Sequence, residues 1–152
     1  MHKILHLKKE RFHFSCAHFT IFSSEKRERL HGHTYNVAAS FLAPSDKFID
    51  YNILKDTILE ICNNLDESTI IPKNSKHLKI EKSEESIRVD FNDDTFLFPE
   101  KDVILLPIKN TTIEEISEHI YTTLKEKTIN VSKIHSVSVY SGPGQHCTIM
   151  EE

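Results

Sequence analysis

Between Leu7 and His18 apolar and polar positions alternate, with Phe12, Phe14 and Cys16 interleaved with Arg11, His13 and Ser15. That period of two turns one side of a strand toward a core and the other toward water. After a polar stretch at 19–30, Thr34 to Leu42 reads as a second strand rich in Tyr, Val, Ala and Phe, ended by Pro44-Ser45-Asp46. The period then changes. Tyr51, Leu54, Ile58, Ile61, Cys62 and Leu65 recur at helical spacing and predict an amphipathic helix from about Asp50 to about Leu65, with Cys62 on its core stripe. Alternation returns over 70–108, at Leu78 and Ile80, then Ile87, Val89 and Phe91, then Phe96 and Phe98. Turn signals at Ser83-Glu84-Glu85 and Asn92-Asp93-Asp94 divide this segment into two or three short strands, an inserted meander. A second helix is predicted from Thr111 or Thr112, with Glu114 and Glu115 in capping-box register and a stripe of Ile113, Ile116, Ile120 and Leu124. His119 borders that stripe and reads as structural. A strand through Val137 and Val139, a turn at Ser141-Gly142-Pro143-Gly144 and a last strand to about Met150 complete the chain.

Two strands, a helix, a meander, a second helix and two strands suggest an α+β architecture: an antiparallel sheet with both helices on one face. The 152 residues are read as one domain, 1–152, with an insertion at about 70–108. There is no internal repeat or low-complexity tract.

Composition narrows the function classes. Hydrophobic content of 38% and charged content of 28% suit a globular chain, and a net charge of −4 offers no general attraction for nucleic acid. No apolar run reaches the roughly 20 residues that span a bilayer, and the opening Met-His-Lys-Ile-Leu-His-Leu-Lys-Lys-Glu is too charged for a signal peptide, so a cytoplasmic chain without membrane partners is expected. Three cysteines, Cys16, Cys62 and Cys147, lack C-x-x-C spacing and argue against a disulfide framework or a cysteine zinc knot. Lys26, Arg27 and Arg29 form a local basic cluster that suits a small phosphorylated substrate, or else a solvated loop.

The chemistry concentrates in Leu30-His31-Gly32-His33-Thr34-Tyr35-Asn36-Val37. Histidines two apart on a strand project from one face and reach one metal ion. Gly32 between them keeps bulk away and lets the backbone be approached closely. If the first two strands pair as a hairpin across 19–30, His18 falls beside His31 at the loop end. Three histidines and an open position are the ligand set of a catalytic zinc.

Five blocks carry a family resemblance: Phe14-Ser15-Cys16-Ala17-His18, His31-Gly32-His33-Thr34-Tyr35-Asn36-Val37, Phe48-Ile49-Asp50-Tyr51-Asn52-Ile53-Leu54-Lys55, Asn64-Leu65-Asp66 and Thr112-Ile113-Glu114-Glu115-Ile116. In this order they resemble the 6-pyruvoyltetrahydropterin synthase / 6-carboxytetrahydropterin synthase family across nearly the whole chain outside 70–108. The resemblance implies the tunnelling fold, an antiparallel four-stranded sheet (ββααββ) with two helices on one face. It also implies Zn2+ on His18, His31 and His33, a hexamer (dimer of trimers) with sites between subunits, and 7,8-dihydroneopterin triphosphate or a near relative as substrate.

Many family members carry a general-base cysteine shortly before His-x-His; here Ser24-Glu25-Lys26-Arg27-Glu28-Arg29-Leu30 has none. Glu28 instead gives Glu-x-x-His-Gly-His, which resembles the branch that cleaves the side chain to 6-hydroxymethyl-7,8-dihydropterin. The family's Asp-His pair appears as Asp66-Glu67, possible partners in proton relay, and the pterin-gripping glutamate aligns with Ser141. Arg27 and Arg29 flank Glu28 and would hold phosphate. Two functions follow: a zinc-dependent pterin lyase, or a metal- and pterin- or purine-binding relative without the family's catalytic activity.

Overall fold

The first two alternating segments form one long antiparallel hairpin, β1 (Lys3–His18) with β2 (His31–Ala43), in a computed structural model that describes Met1 and residues 3–152. Pairing runs from Lys3 opposite Ala43 to His18 opposite His31, with a register shift between Lys8 and His13 that marks a bulge and sharpens the local twist. There follow α1 (Tyr51–Leu65), β3 (Ser68–Pro72), β4 (Lys79–Lys82), β5 (Ser86–Phe91), β6 (Asp94–Pro99), a 3-10 turn at Glu100–Asp102, β7 (Val103–Leu106), α2 (Ile113–Thr128), β8 (Ile134–Ser141) and β9 (His146–Met150).

The antiparallel four-stranded core expected from the sequence is β1, β2, β8 and β9. Two further strands extend it, giving a six-stranded sheet in the order β7-β3-β1-β2-β8-β9. Both additions are parallel: Cys16 and Ala17 of β1 lie opposite Ser68 and Thr69 of β3, and β7 lies alongside β3. The expected meander is therefore the three-stranded sheet β4-β5-β6 alone, while the strands on either side of it belong to the main sheet.

Both helices pack on the same face. Asp50 caps α1 by accepting from Asn52 N at 2.9 Å, and Leu54, Ile58, Ile61, Cys62 and Leu65 line its buried stripe. Thr112 caps α2, while the Glu115 carboxylate reaches further back to accept from the amides of Lys109 and Asn110. These stripes meet Phe12, Phe14, Tyr35, Val37, Phe41, Val137 and Val139 of the sheet in one apolar core. A second core forms where β4-β5-β6 cover β3 and β7: Ile87, Val89 and Phe91 pack on Ile71 and on Phe19 and Ile21, which follow β1. Neighbouring residues of β3 divide between the two, Ile70 into the first and Ile71 into the second.

Candidate metal centre

Direct opposition across an antiparallel pair puts two side chains on the same face. Phe14 faces Tyr35, Cys16 faces His33 and His18 faces His31. The buried face of the hairpin thus changes, toward its loop end, from stacked aromatics to three imidazoles, with Phe14 and Tyr35 ring centroids 5.2 Å apart. His18 is buried; His31 and His33 are half-buried. Their metal-binding atoms all lie within 4.8 Å of one another.

Backbone carbonyls orient two of the rings. His18 Nδ1 donates to the Thr111 carbonyl at 3.0 Å and His31 Nδ1 to the Arg29 carbonyl at 2.7 Å, which leaves each Nε2 lone pair directed inward. Nε2 of His31 and Nε2 of His33 are 3.0 Å apart. Ligands about 2.05 Å from a tetrahedral zinc would be roughly 3.3 Å apart, so small rotations of these rings fit an ion. Burial, and after it the charge of neighbouring His31, holds the His18 imidazole below its ordinary pKa, which keeps it in the neutral form that binds metal.

The segment after His18 is clipped to the start of α2. Thr111 Oγ1 donates to the Phe19 carbonyl at 2.8 Å, and Asn110 pairs through both side-chain atoms with the Ile21 backbone. The sequence assigns no role in the centre to Asn110, to Thr111 or to Tyr35, whose hydroxyl lies 3.4 Å from His18 Nε2. Tyr35 carried a signal, being two positions beyond His33 on the same face; the role of Thr111 rests on its backbone and had none.

The remaining candidates fall into two groups. Glu28 joins the centre: its Oε2 lies 3.5 Å from His31 Nε2 and accepts from Thr20 N at 3.2 Å. Arg29 contributes its carbonyl to His31 while its side chain is exposed. Ser141 lies opposite Tyr35 on β8 and accepts from Gln145 through its hydroxyl, at the same end of the sheet but without touching the histidines. Arg27 turns away into the β4-β5-β6 sheet and pairs with Asp94. Asp66 closes α1, and its Oδ1 accepts from Ser15 N at 2.7 Å. Glu67 lines a groove with Ser15, Ala17, Gly32 and Thr34, positions that alternate with the histidines along the two strands, and Cys16 and His33 also border it. Gly32 opens onto that groove too. A methyl group there would meet nothing nearer than the Cys16 carbonyl at 3.6 Å, so room beside the histidines does not depend on glycine. Cys16 is buried, and burial pushes its thiol up to about 12, which makes it no candidate for a general base.

The sequence profile of the 6-pyruvoyl tetrahydropterin synthase family matches residues 6–152. The chain belongs to this family. It is 33% identical over 140 residues to a putative 6-carboxy-5,6,7,8-tetrahydropterin synthase of Methanocaldococcus jannaschii, covering 87% of this chain and 85% of that one. The solved 6-pyruvoyl tetrahydropterin synthase of Plasmodium falciparum superposes with a TM-score of 0.88 at 34% identity, over 99% of this chain and 98% of that one. A Plasmodium vivax 6-pyruvoyltetrahydropterin synthase, solved with a glutamate designated catalytic replaced by alanine, gives 0.90 at 30% identity over 100% and 99%. Family members are lyases that act on a small pterin, and this chain is a tetrahydropterin synthase-like protein of pterin metabolism with the tunnelling fold. Among the described residues, no helix is long and apolar enough to cross a membrane.

Proposed function

We propose that the chain is a zinc-dependent lyase acting on the side chain of 7,8-dihydroneopterin triphosphate or a close relative, with 6-hydroxymethyl-7,8-dihydropterin as the expected product. The observation that carries this reading is the carboxylate of Glu28 lying 3.5 Å from Nε2 of one ligand in a converging histidine triad. The catalytic glutamate named for the Plasmodium vivax protein supports it.

His18, His31 and His33 would hold the metal, which when bound supplies Lewis-acid polarisation of a substrate hydroxyl. Glu28 takes the proton of the hydroxyl on the second side-chain carbon. The electron pair left on that oxygen forms a carbonyl, the bond to the first side-chain carbon breaks, and its electrons pass into the conjugated pterin ring. A proton returned to the first carbon completes the hydroxymethyl group, and the triphosphate leaves on a two-carbon aldehyde. Thr20 N fixes the Glu28 carboxylate beside the substrate position, and the Tyr35 phenol, kept protonated by burial, closes the inner wall.

Arg29, exposed beside this site, is the side chain we assign to phosphate, with Ser141 at the pterin end. Asp66 is engaged with the Ser15 amide and Glu67 lines the groove of Ser15, Ala17 and Thr34, so a part in proton relay would be played at the site of a second copy. We propose a homo-oligomer, a hexamer of two trimers, in the cytoplasm. It would cover the open edges at β7 and β9 and the exposed Phe48, Ile53 and Met150.

The decisive experiment incubates zinc-loaded protein with 7,8-dihydroneopterin triphosphate and identifies products by mass spectrometry. The expected result is loss of substrate and appearance of the hydroxymethyl product. Binding without turnover would instead make the chain a metal- and pterin-binding relative.

A further inference from the structure

Arg27 immediately precedes Glu28, yet its side chain is only 17% exposed and runs away from the histidines. Its guanidinium lies among three aromatic rings, 4.8 Å from the centroid of Phe96, 5.3 Å from Phe19 and 5.8 Å from Phe91. Nη2 donates to Asp94 Oδ2 at 2.7 Å, and Nη1 donates to the carbonyl of Glu28 at 2.8 Å. Phe91, Asp94 and Phe96 belong to the β4-β5-β6 sheet, and Phe19 follows the metal ligand His18. One side chain therefore joins the inserted sheet to the segment between two metal ligands.

The consequence falls on Glu28. Its amide donates to the Thr20 carbonyl at 2.8 Å while its own carbonyl accepts from Arg27, so both ends of the residue are fixed. The bridge between Ile21 and Arg27 closes the same loop. A guanidinium paired with the Glu28 carboxylate would stabilise the anion and weaken it as a base. Here the charge is spent on Asp94 and the rings, and only the Glu28 backbone is gripped. Lysine cannot reproduce this, because it lacks the planar fork that stacks on aromatics and donates in two directions.

We propose that Arg27 is a positioning residue that holds Glu28 against the metal centre, and that the β4-β5-β6 sheet serves as its anchor through Asp94 and the aromatic stack. This inference rests on Glu28 being the base. It assigns a purpose to the insertion at 70–108 and takes Arg27 out of phosphate binding.

The test uses Arg27→Lys and Asp94→Asn, each alone and combined with Glu28→Gln, in the zinc-loaded full chain with 7,8-dihydroneopterin triphosphate. Asp94 is 58% exposed at a turn, so its amide variant perturbs the fold least. Both single variants are expected to retain metal and KM, to exchange the 20–28 backbone amides faster, and to lose about tenfold to 10²-fold in kcat, as displaced catalytic groups do. Added to Glu28→Gln, either change is expected to cost less than twofold, since the group it positions is already gone. Equal losses in both backgrounds would mean general damage and overturn the proposal. So would unchanged exchange and kcat in the single variants. Parental turnover by Glu28→Gln alone would overturn the base reading, while amide exchange would still decide separately whether Arg27 fixes the loop.

Discussion

His31 and His33, two positions apart on β2, bring their Nε2 atoms to 3.0 Å. With the Nδ1 hydrogen of His31 engaged by the Arg29 carbonyl, two inward lone pairs at that distance repel unless a proton or a cation lies between them. Adding His18, buried and carbonyl-oriented, makes a cation the better occupant. Purified protein is expected to carry about one zinc per chain, and His31→Ala or His33→Ala to lose it. Chelation should lower the melting temperature, because an ion at 100-fold its Kd contributes about 2.7 kcal/mol to the folded state. Metal analysis showing no zinc after zinc-supplemented expression would refute the centre.

Glu28→Gln keeps the shape of the residue and its hydrogen bond from Thr20 N while removing the proposed base. Turnover is expected to fall roughly 10²–10⁴-fold, the usual contribution of a positioned acid–base group, with zinc content unchanged. Steady-state kinetics beside metal analysis separates loss of the base from collapse of the site. A variant as fast as the parent would place proton transfer elsewhere.

The hairpin and the triad were legible because period two is strict where one face of a strand is buried, and a hairpin across 19–30 sets His18 beside His31; the pairs Cys16 with His33 and Phe14 with Tyr35 follow from that register. The places of β3 and β7 were not legible. Their residues, Ser68–Pro72 and Val103–Leu106, are covered on both faces, so Ile70 and Ile71 are both buried and alternation disappears, as in parallel strands generally. The direction of Arg27 was hidden for a different reason. A basic residue near a substrate site looks the same in sequence whether it faces the ligand or stacks between Phe19 and Phe96 from a distant part of the chain.

Asp66 is expected to act on stability more than on chemistry. Its carboxylate accepts from the amide of Ser15, three residues before the end of β1, so Asp66→Ala leaves that donor unpaired. A loss of about 1.5–3 kcal/mol is expected in urea unfolding, the range for hydrogen bonds to charged groups. Asp66→Asn retains an acceptor oxygen and should recover most of it. If both variants unfold like the parent but turn over slowly, Asp66 belongs with the chemistry.

The proposed assembly follows from the sheet's two open edges and from Phe48, which is 89% exposed. Light scattering at micromolar concentration is expected to give the mass of six chains. A monomer at that concentration would remove the shared site.

Glu67 offers the sharpest test of a second copy's part. It adopts a positive φ of 54°, a conformation that costs an ordinary residue on the order of 1 kcal/mol and glycine almost nothing. Its amide donates to the Ser15 carbonyl at 2.7 Å, so the backbone shape is imposed by the junction of α1 with β1 whatever the side chain. Glu67 lines the groove of Ser15, Ala17 and Thr34, and if its carboxylate serves the site of a second copy, the strained backbone is the cost of that role. Glu67→Gly is therefore expected to raise the melting temperature by a few degrees, as about 1 kcal/mol does in a domain of this size, and at the same time to lower turnover. Mixed oligomers of Glu67→Gly and Glu28→Gln chains should regain part of the activity that each lacks, because some sites then draw both intact groups from different copies. A Glu67→Gly protein that is more stable and fully active would leave Glu67 as a strained turn and nothing more.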